Sequence, residues 1–237
     1  MKTIGLISPN LDREGIDAYL EVLPPGVHIV GRALKVERYQ DENFRAAEQA
    51  LAGLVRELAQ QPLDFLMVTG ELFLSYKGPG SDRAVLRAIG EITSTPASTV
   101  LTAVVHACQT LGLRRMVMAS PFPEDHSARL VRFLAHDGVE VLGSQSLGHD
   151  NNRAIWALPP ETGYDLAVSL AQAHADADGV YLPCNKWRIT SVIDRLEQEL
   201  GKPVVTNTQA WIWEALRAMG LPAVLPGLGR LLSPERV

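Results

Sequence analysis

Three stretches in the first half of this 237-residue chain return in the second half at nearly constant spacing. "GLISPN" at 5–10 is echoed by "VMASPF" at 117–122, so that Ser8 pairs with Ser120. "DFLMVTG", ending at Gly70, is echoed by "DGVYLPC", ending at Cys184. "TPASTVLTAVVHACQTLGL" is echoed by "KPVVTNTQAWIWEALRAMGL". The shared offset is roughly 110 positions, close to half the chain, as expected of a duplicated unit whose identity has decayed. A chain built this way folds as two similar lobes.

The periodicity inside each half says what a lobe is. Short apolar runs alternate with helical stripes, which is the pattern of βα units around a parallel sheet. Strands are expected at "TIGLI", "HIVGRAL", "DFLMV", "RRMVMA", "VEVLG", "GVYLP", "KPVV" and "PAVL". Helices are expected over 43–60, with Phe44, Ala47, Leu51, Leu54 and Leu58 on one stripe, and over 188–200, with Ile189, Ile193, Leu196 and Leu200 on another. The expected fold is therefore α/β, with two pseudo-symmetric flavodoxin- or Rossmann-like lobes, each a parallel sheet flanked by helices. The first lobe is assigned 1–97 plus 208–237 and the second 98–207. Ligands of parallel α/β sheets bind beyond the carboxyl ends of the strands, so Gly70 and Cys184 are expected to face each other across a cleft, with the Ser8 and Ser120 loops beside them. The Pro/Gly segment "YKGPGSD" at 76–82 reads as a lid.

Composition removes several function classes. Charged residues make up 21% and the net charge is −5, which argues against a nucleic-acid partner or a basic membrane-binding face. The five-residue apolar stretch near the start is too short for a signal peptide, and no apolar run reaches a membrane-spanning length, so a cytoplasmic protein is expected. Two cysteines then read as free thiols. Cys108 falls on a stripe with Leu101, Val104 and Leu111 and reads as core, whereas Cys184 stands where a strand gives way to a helix and reads as a reagent. The six histidines show no metal-ligand spacing, and "GPG" at 78–80 lacks the remainder of a dinucleotide fingerprint. No metal and no cofactor are expected. The oligomeric state is left open.

At these residues the chain resembles the aspartate/glutamate racemase superfamily, which carries a cysteine at each of the two strand ends. It is similar in particular to the arylmalonate decarboxylase and maleate isomerase branch. The resemblance rests on "GLISPN", "LPPGV", "TGELFLSYKG", "TPASTVLTAVVHACQTLGLRRMVMASPFPE" and "LPCNKWRITSVIDRLEQELGKPVVTNTQAWIWEALRAMG". The last segment resembles maleate isomerases, while Gly70 at the first cysteine position resembles the decarboxylases. The resemblance implies a cofactor-independent decarboxylase of a small, arylmalonate-like dicarboxylic acid. In such an enzyme fixed hydrogen-bond donors hold an enediolate and Cys184 protonates it. Gly70 supplies no nucleophile, which disfavours the isomerase route. Ser8, Asn10, Gly70, Ser120, Phe122, Asn185 and Asn207 are the implied substrate-binding positions, with Thr208 beside them.

The departures from the family pattern are concentrated in the pocket. Glu71 and Leu72 stand where decarboxylases carry hydroxyls, Phe122 where they carry a tyrosine, and Asn185 where they carry glycine. A second reading makes Glu71 and Cys184 acid and base on two faces of one carbon, as in a racemase or a cis–trans isomerase of a small carboxylate. A third is a non-catalytic carboxylate-binding or regulatory relative. The helix expected at 188–200, together with Lys186, is predicted to lower the Cys184 pKa. Trp187 is a candidate wall of an aromatic pocket.

Overall fold

The computed structural model describes residues 1–233. Its strands form two sheets of identical topology, β2-β1-β3-β4 and β6-β5-β7-β8, with every pairing parallel. The first contains β1 (Lys2–Ser8), β2 (Val27–Ala33), β3 (Phe65–Val68) and β4 (Ala97–Thr99). The second contains β5 (Arg115–Ser120), β6 (Glu140–Ser146), β7 (Gly179–Leu182) and β8 (Val204–Thr206). The inner strands β3 and β7 are buried along their whole length, which is why "FLMV" and "GVYL" are unbroken apolar runs instead of alternating ones.

Helices cover the sheets in the order α1 (Arg13–Leu20), α2 (Asp41–Leu58), α3 (Glu71–Ser75), α4 (Ser81–Gly90) and α5 (Val100–Leu111), then α6 (Glu124–His136), α7 (Asn152–Trp156), α8 (Pro160–Ala173), α9 (Ile193–Leu200) and α10 (Asn207–Ala218). On α2 the buried stripe is Phe44, Ala47, Leu51, Val55 and Leu58, with Val55 where the sequence suggested Leu54. The third echo is a strand that runs straight into a helix. Thr99 ends β4 and accepts a hydrogen bond from the Thr102 amide, and Thr206 ends β8 and forms a capping box with Gln209. α5 and α10 pack against each other, α5 also touching β8 and α10 touching β3 and β4, so the two sheets share one continuous apolar core.

Two expectations are corrected. "PAVL" at 222–225 is not a strand: Pro222 removes an amide donor, and the segment instead leads to a tail whose Leu228 carbonyl accepts from Gln209 Nε2 at 2.7 Å. The helix expected over 188–200 is a 3₁₀ turn (Thr190–Val192) followed by α9, so it begins several residues after Cys184.

Candidate active site

Strand order reverses between β1 and β3 in one sheet and between β5 and β7 in the other, so the loops leaving these strands diverge and open a crevice at each switch point. The two crevices merge into one pocket between the sheets. Ser8, Pro9 and Asn10 enter it from β1, Gly70 and Glu71 from β3, Phe122 from β5, and Cys184, Asn185 and Lys186 from β7. The pocket encloses about 440 Å³ out to its mouth, but water centres can occupy only about 40 Å³ of it. That is room for a few water molecules.

The paired strand ends share an uncommon backbone shape. Gly70 has φ 104° and Cys184 has φ 88°, both in the left-handed region. Glycine adopts it freely, whereas a side-chain-bearing residue there costs roughly 1–2 kcal/mol. The thiol is thus held in a strained loop, a condition that persists only where the surroundings over-determine it. Gly70 is fixed for a second reason: a Cβ built on it meets Pro9 Cγ at 2.3 Å and Cδ at 2.8 Å.

Electrostatics in the pocket centre on two buried acids. Burial pushes the Glu71 carboxyl up to about 7, while its own backbone amide and the Asn207 side chain pull the other way. Burial also pushes Cys184 well above the ordinary thiol value, and the negative field of Glu71 adds to this. The Lys186 and Trp187 amides and the Lys186 ammonium act oppositely but do not prevail. The predicted lowering of the thiol pKa is therefore corrected. α9 starts too far away, and Lys186 is also drawn to Asp12 at 3.5 Å and lies over the Trp156 ring. At neutral pH Cys184 is a protonated thiol, the form that can give a proton.

Of the residues singled out in the sequence, Ser8, Asn10, Gly70, Glu71, Phe122, Cys184 and Asn185 line the pocket together. Ser120 is outside its lining: its Oγ accepts from the Phe122 amide at 3.2 Å and from the Ser127 hydroxyl at 2.8 Å. Asn207 is fully buried behind Glu71, its Oδ1 accepting from the Tyr181 hydroxyl at 2.7 Å. Thr208 leans on Asn185 at 3.5 Å. The loop read as a lid lies elsewhere, with Tyr76 and Lys77 bonded to Glu48 beside a separate apolar pocket between α2 and α4. Trp187 is packed against α8, where a Cβ on Gly163 would meet its ring at 2.9 Å, and it does not line the pocket. Cys108 is core, its pKa pushed up to about 12 by burial.

Sequence reasoning missed Tyr39 and Asn152. Both line the pocket, one from the loop after β2 and one from α7, and the Tyr39 hydroxyl donates to Asn152 Oδ1 at 2.6 Å. The Tyr39 ring meets Phe122 edge-on at 5.6 Å, which places a phenol beside the position where Phe122 lacks one. No local motif marks either residue. Among the described residues no cluster of histidine, cysteine and carboxylate side chains is suited to a metal, and no helix is long and apolar enough to cross a membrane.

Duplicated α/β lobes that enclose a buried thiol and a buried carboxyl between their strand ends define a class of two-lobed proteins with a candidate site at the lobe junction. The family model described as arylmalonate decarboxylase matches residues 4–232, and the chain belongs to that family. It is 30% identical to the arylmalonate decarboxylase of Bordetella bronchiseptica over 98% of this chain and 96% of the relative. It is 24% identical to the maleate isomerase of Nocardia farcinica over 99% of this chain and 97% of that one. Among solved structures, a doubly substituted arylmalonate decarboxylase (Gly→Cys, Cys→Ser) in its liganded form superposes with a TM-score of 0.91 at 29% identity, covering 98% of this chain and 99% of the other. The maleate isomerase Iso of Pseudomonas putida S16 gives 0.90 at 22% identity, covering 98% of each chain, which is a likeness of fold.

Proposed function

We propose that the protein is a cofactor-independent decarboxylase of a small malonate-type dicarboxylic acid, with Cys184 as the proton donor. Family membership supports a lyase or isomerase, and the observation that favours the lyase is the protonated thiol opposite a glycine, where a side chain would have to displace the Pro9 ring. One substrate carboxylate is held by donors at the pocket wall. Ser8 Oγ, Asn152 Nδ2 and Asn185 Nδ2 make no hydrogen bond within the described protein and supply candidates. The other carboxylate leaves: its bond to the α-carbon breaks, carbon dioxide departs, and the electron pair remains as an enediolate stabilised by those donors. The Cys184 S–H then delivers its proton to the α-carbon from one face. The resulting thiolate takes a proton from the Glu71 carboxyl, and Glu71 recovers one from solvent.

This scheme needs Glu71 protonated, both to recharge the thiol and to avoid repelling the dianionic substrate. The rate should fall as pH rises through about 7. Carbon dioxide release from malonate, methylmalonate and phenylmalonate across pH 5–9 is the test, with the smaller acids expected to be better substrates because the pocket is narrow. Cys184→Ala should lose at least about 10³-fold, an effect on the scale of removing a general acid, and Glu71→Gln, which cannot recharge the thiolate, should turn over more slowly and without the decline near pH 7. Turnover retained in Cys184→Ala would remove the thiol from the reaction.

One observation favours a second reading: Glu71 and Cys184 both face the pocket, so an ionised Glu71 could abstract an α-proton that Cys184 returns from the other side. That racemase needs the opposite protonation state. Its rate should rise through pH 7, with deuterium entering the α-carbon of a chiral carboxylic acid and no carbon dioxide released.

A further inference from the structure

We infer that Tyr181, a residue of β7 that touches no substrate, is a positioning residue whose hydroxyl decides which end of the Asn207 amide faces Glu71. Tyr181 and Asn207 are both fully buried, and the tyrosine hydroxyl donates to Asn207 Oδ1 at 2.7 Å. An amide can be turned by half a rotation at almost no steric cost, so only its hydrogen-bond partners choose its orientation. Here the choice follows from the phenol's own proton: Tyr181 stays neutral, burial and the charge of Glu71 holding its pKa well above the ordinary value, and a turned amide could donate to its oxygen but would leave the buried O–H with no acceptor among the described residues. With Oδ1 engaged, Nδ2 is left on the side of Glu71. It meets no acceptor in full hydrogen-bond geometry, yet it is near enough to favour the charged carboxylate.

A buried N–H₂ with no full partner is costly unless the neighbouring group can accept from it. An ionised Glu71 is such an acceptor, and a flipped amide presenting its oxygen would instead stabilise the protonated acid. The remaining groups around Glu71 do not compete. Tyr19 from α1, Tyr39 from the loop after β2 and Cys184 from the loop after β7 all feel its charge and are all held neutral by burial, while Lys186 is drawn to Asp12. The amide is therefore the adjustable influence on this carboxyl, and Tyr181 holds it in place.

The inference rests on the proposed function only for its kinetic consequence, so the test reads the carboxyl directly. The full chain is labelled at the glutamate carboxyl carbons and titrated by carbon NMR, with the Glu71 signal assigned by its loss in Glu71→Gln. The wild-type midpoint is expected near 7. Tyr181→Phe, which removes one oxygen, should raise it by about one unit because the amide is released to turn. Asn207→Leu should raise it too, and the double variant should go no further than Asn207→Leu alone. A midpoint unmoved in folded Tyr181→Phe, or two shifts that simply add, overturns the inference. If Tyr181→Phe does not fold, an unmoved midpoint in Asn207→Leu overturns it equally. A shifted midpoint without turnover of any malonate keeps the inference and sinks the decarboxylase, while turnover with an unmoved midpoint does the reverse. In an active enzyme the descending limb of kcat/KM should move to higher pH with the NMR midpoint.

Discussion

Glu71 ties function to stability through a single proton. Its folded pKa is about 7 against an ordinary 4.5, so the folded protein binds this proton more tightly than the unfolded chain. The stabilisation is complete below pH 4.5 and is lost as pH rises through 7, amounting to about 3 kcal/mol when the shift is converted at 1.36 kcal/mol per unit. Urea unfolding at pH 5 and pH 8 should show wild type losing stability over this window and Glu71→Gln losing much less of it. Cys184 carries strain of a different origin. Because its φ is 88°, Cys184→Gly should be more stable than Cys184→Ala by about 1 kcal/mol, the reverse of the usual ranking in regular structure. Equal unfolding midpoints for the two variants would mean that the loop relaxes when the thiol is gone.

At the scale of elements, the strand-to-helix junctions at Thr99 and Thr206 place the ends of the two sheets. Thr206→Ala and Thr99→Ala each remove one side-chain cap bond and should each cost about 1 kcal/mol in urea unfolding, with Thr99→Ala at the higher end because it also breaks the 2.9 Å hydroxyl contact with Thr102. Most of the elements were legible in the sequence because their signals are strong: β3 and β7 are unbroken apolar runs, and α2 has a clean stripe. β4 was not, since three residues carry no periodicity, and "PAVL" looked like a strand because its apolar run hid the proline that prevents pairing. The strand-end pocket residues could be read from the duplication itself, Ser8 and Gly70 pointing to Ser120 and Cys184. That logic fails where symmetry is broken. Ser120 closes its own turn, and Tyr39 and Asn152 reach the pocket from a loop and a short helix whose positions depend on how the lobes pack.

For the molecule as a whole, the shared core matters more than the rim. α5 and α10 lie against each other between the sheets, with Leu101, Val104, Trp211 and Ile212 fully buried. Thermal unfolding should accordingly be a single transition, with calorimetric and van't Hoff enthalpies equal, although the chain is built from two similar halves. The ion pairs between the outer helices, Arg129 with Asp41 at 2.6 Å and Arg83 with Asp137, include exposed partners and should each contribute less than about 1 kcal/mol. Resolved, separate transitions for the halves would show that the seam is weaker than its burial suggests. The proline beside Gly70 has one more consequence. Because its ring already fills the volume a β-carbon at 70 must enter, placing a matching sulfur there forces the Pro9 ring to move. The asymmetry between the halves is thus guarded by a neighbour, and the empty side of the pocket owes its shape as much to a ring as to the missing side chain.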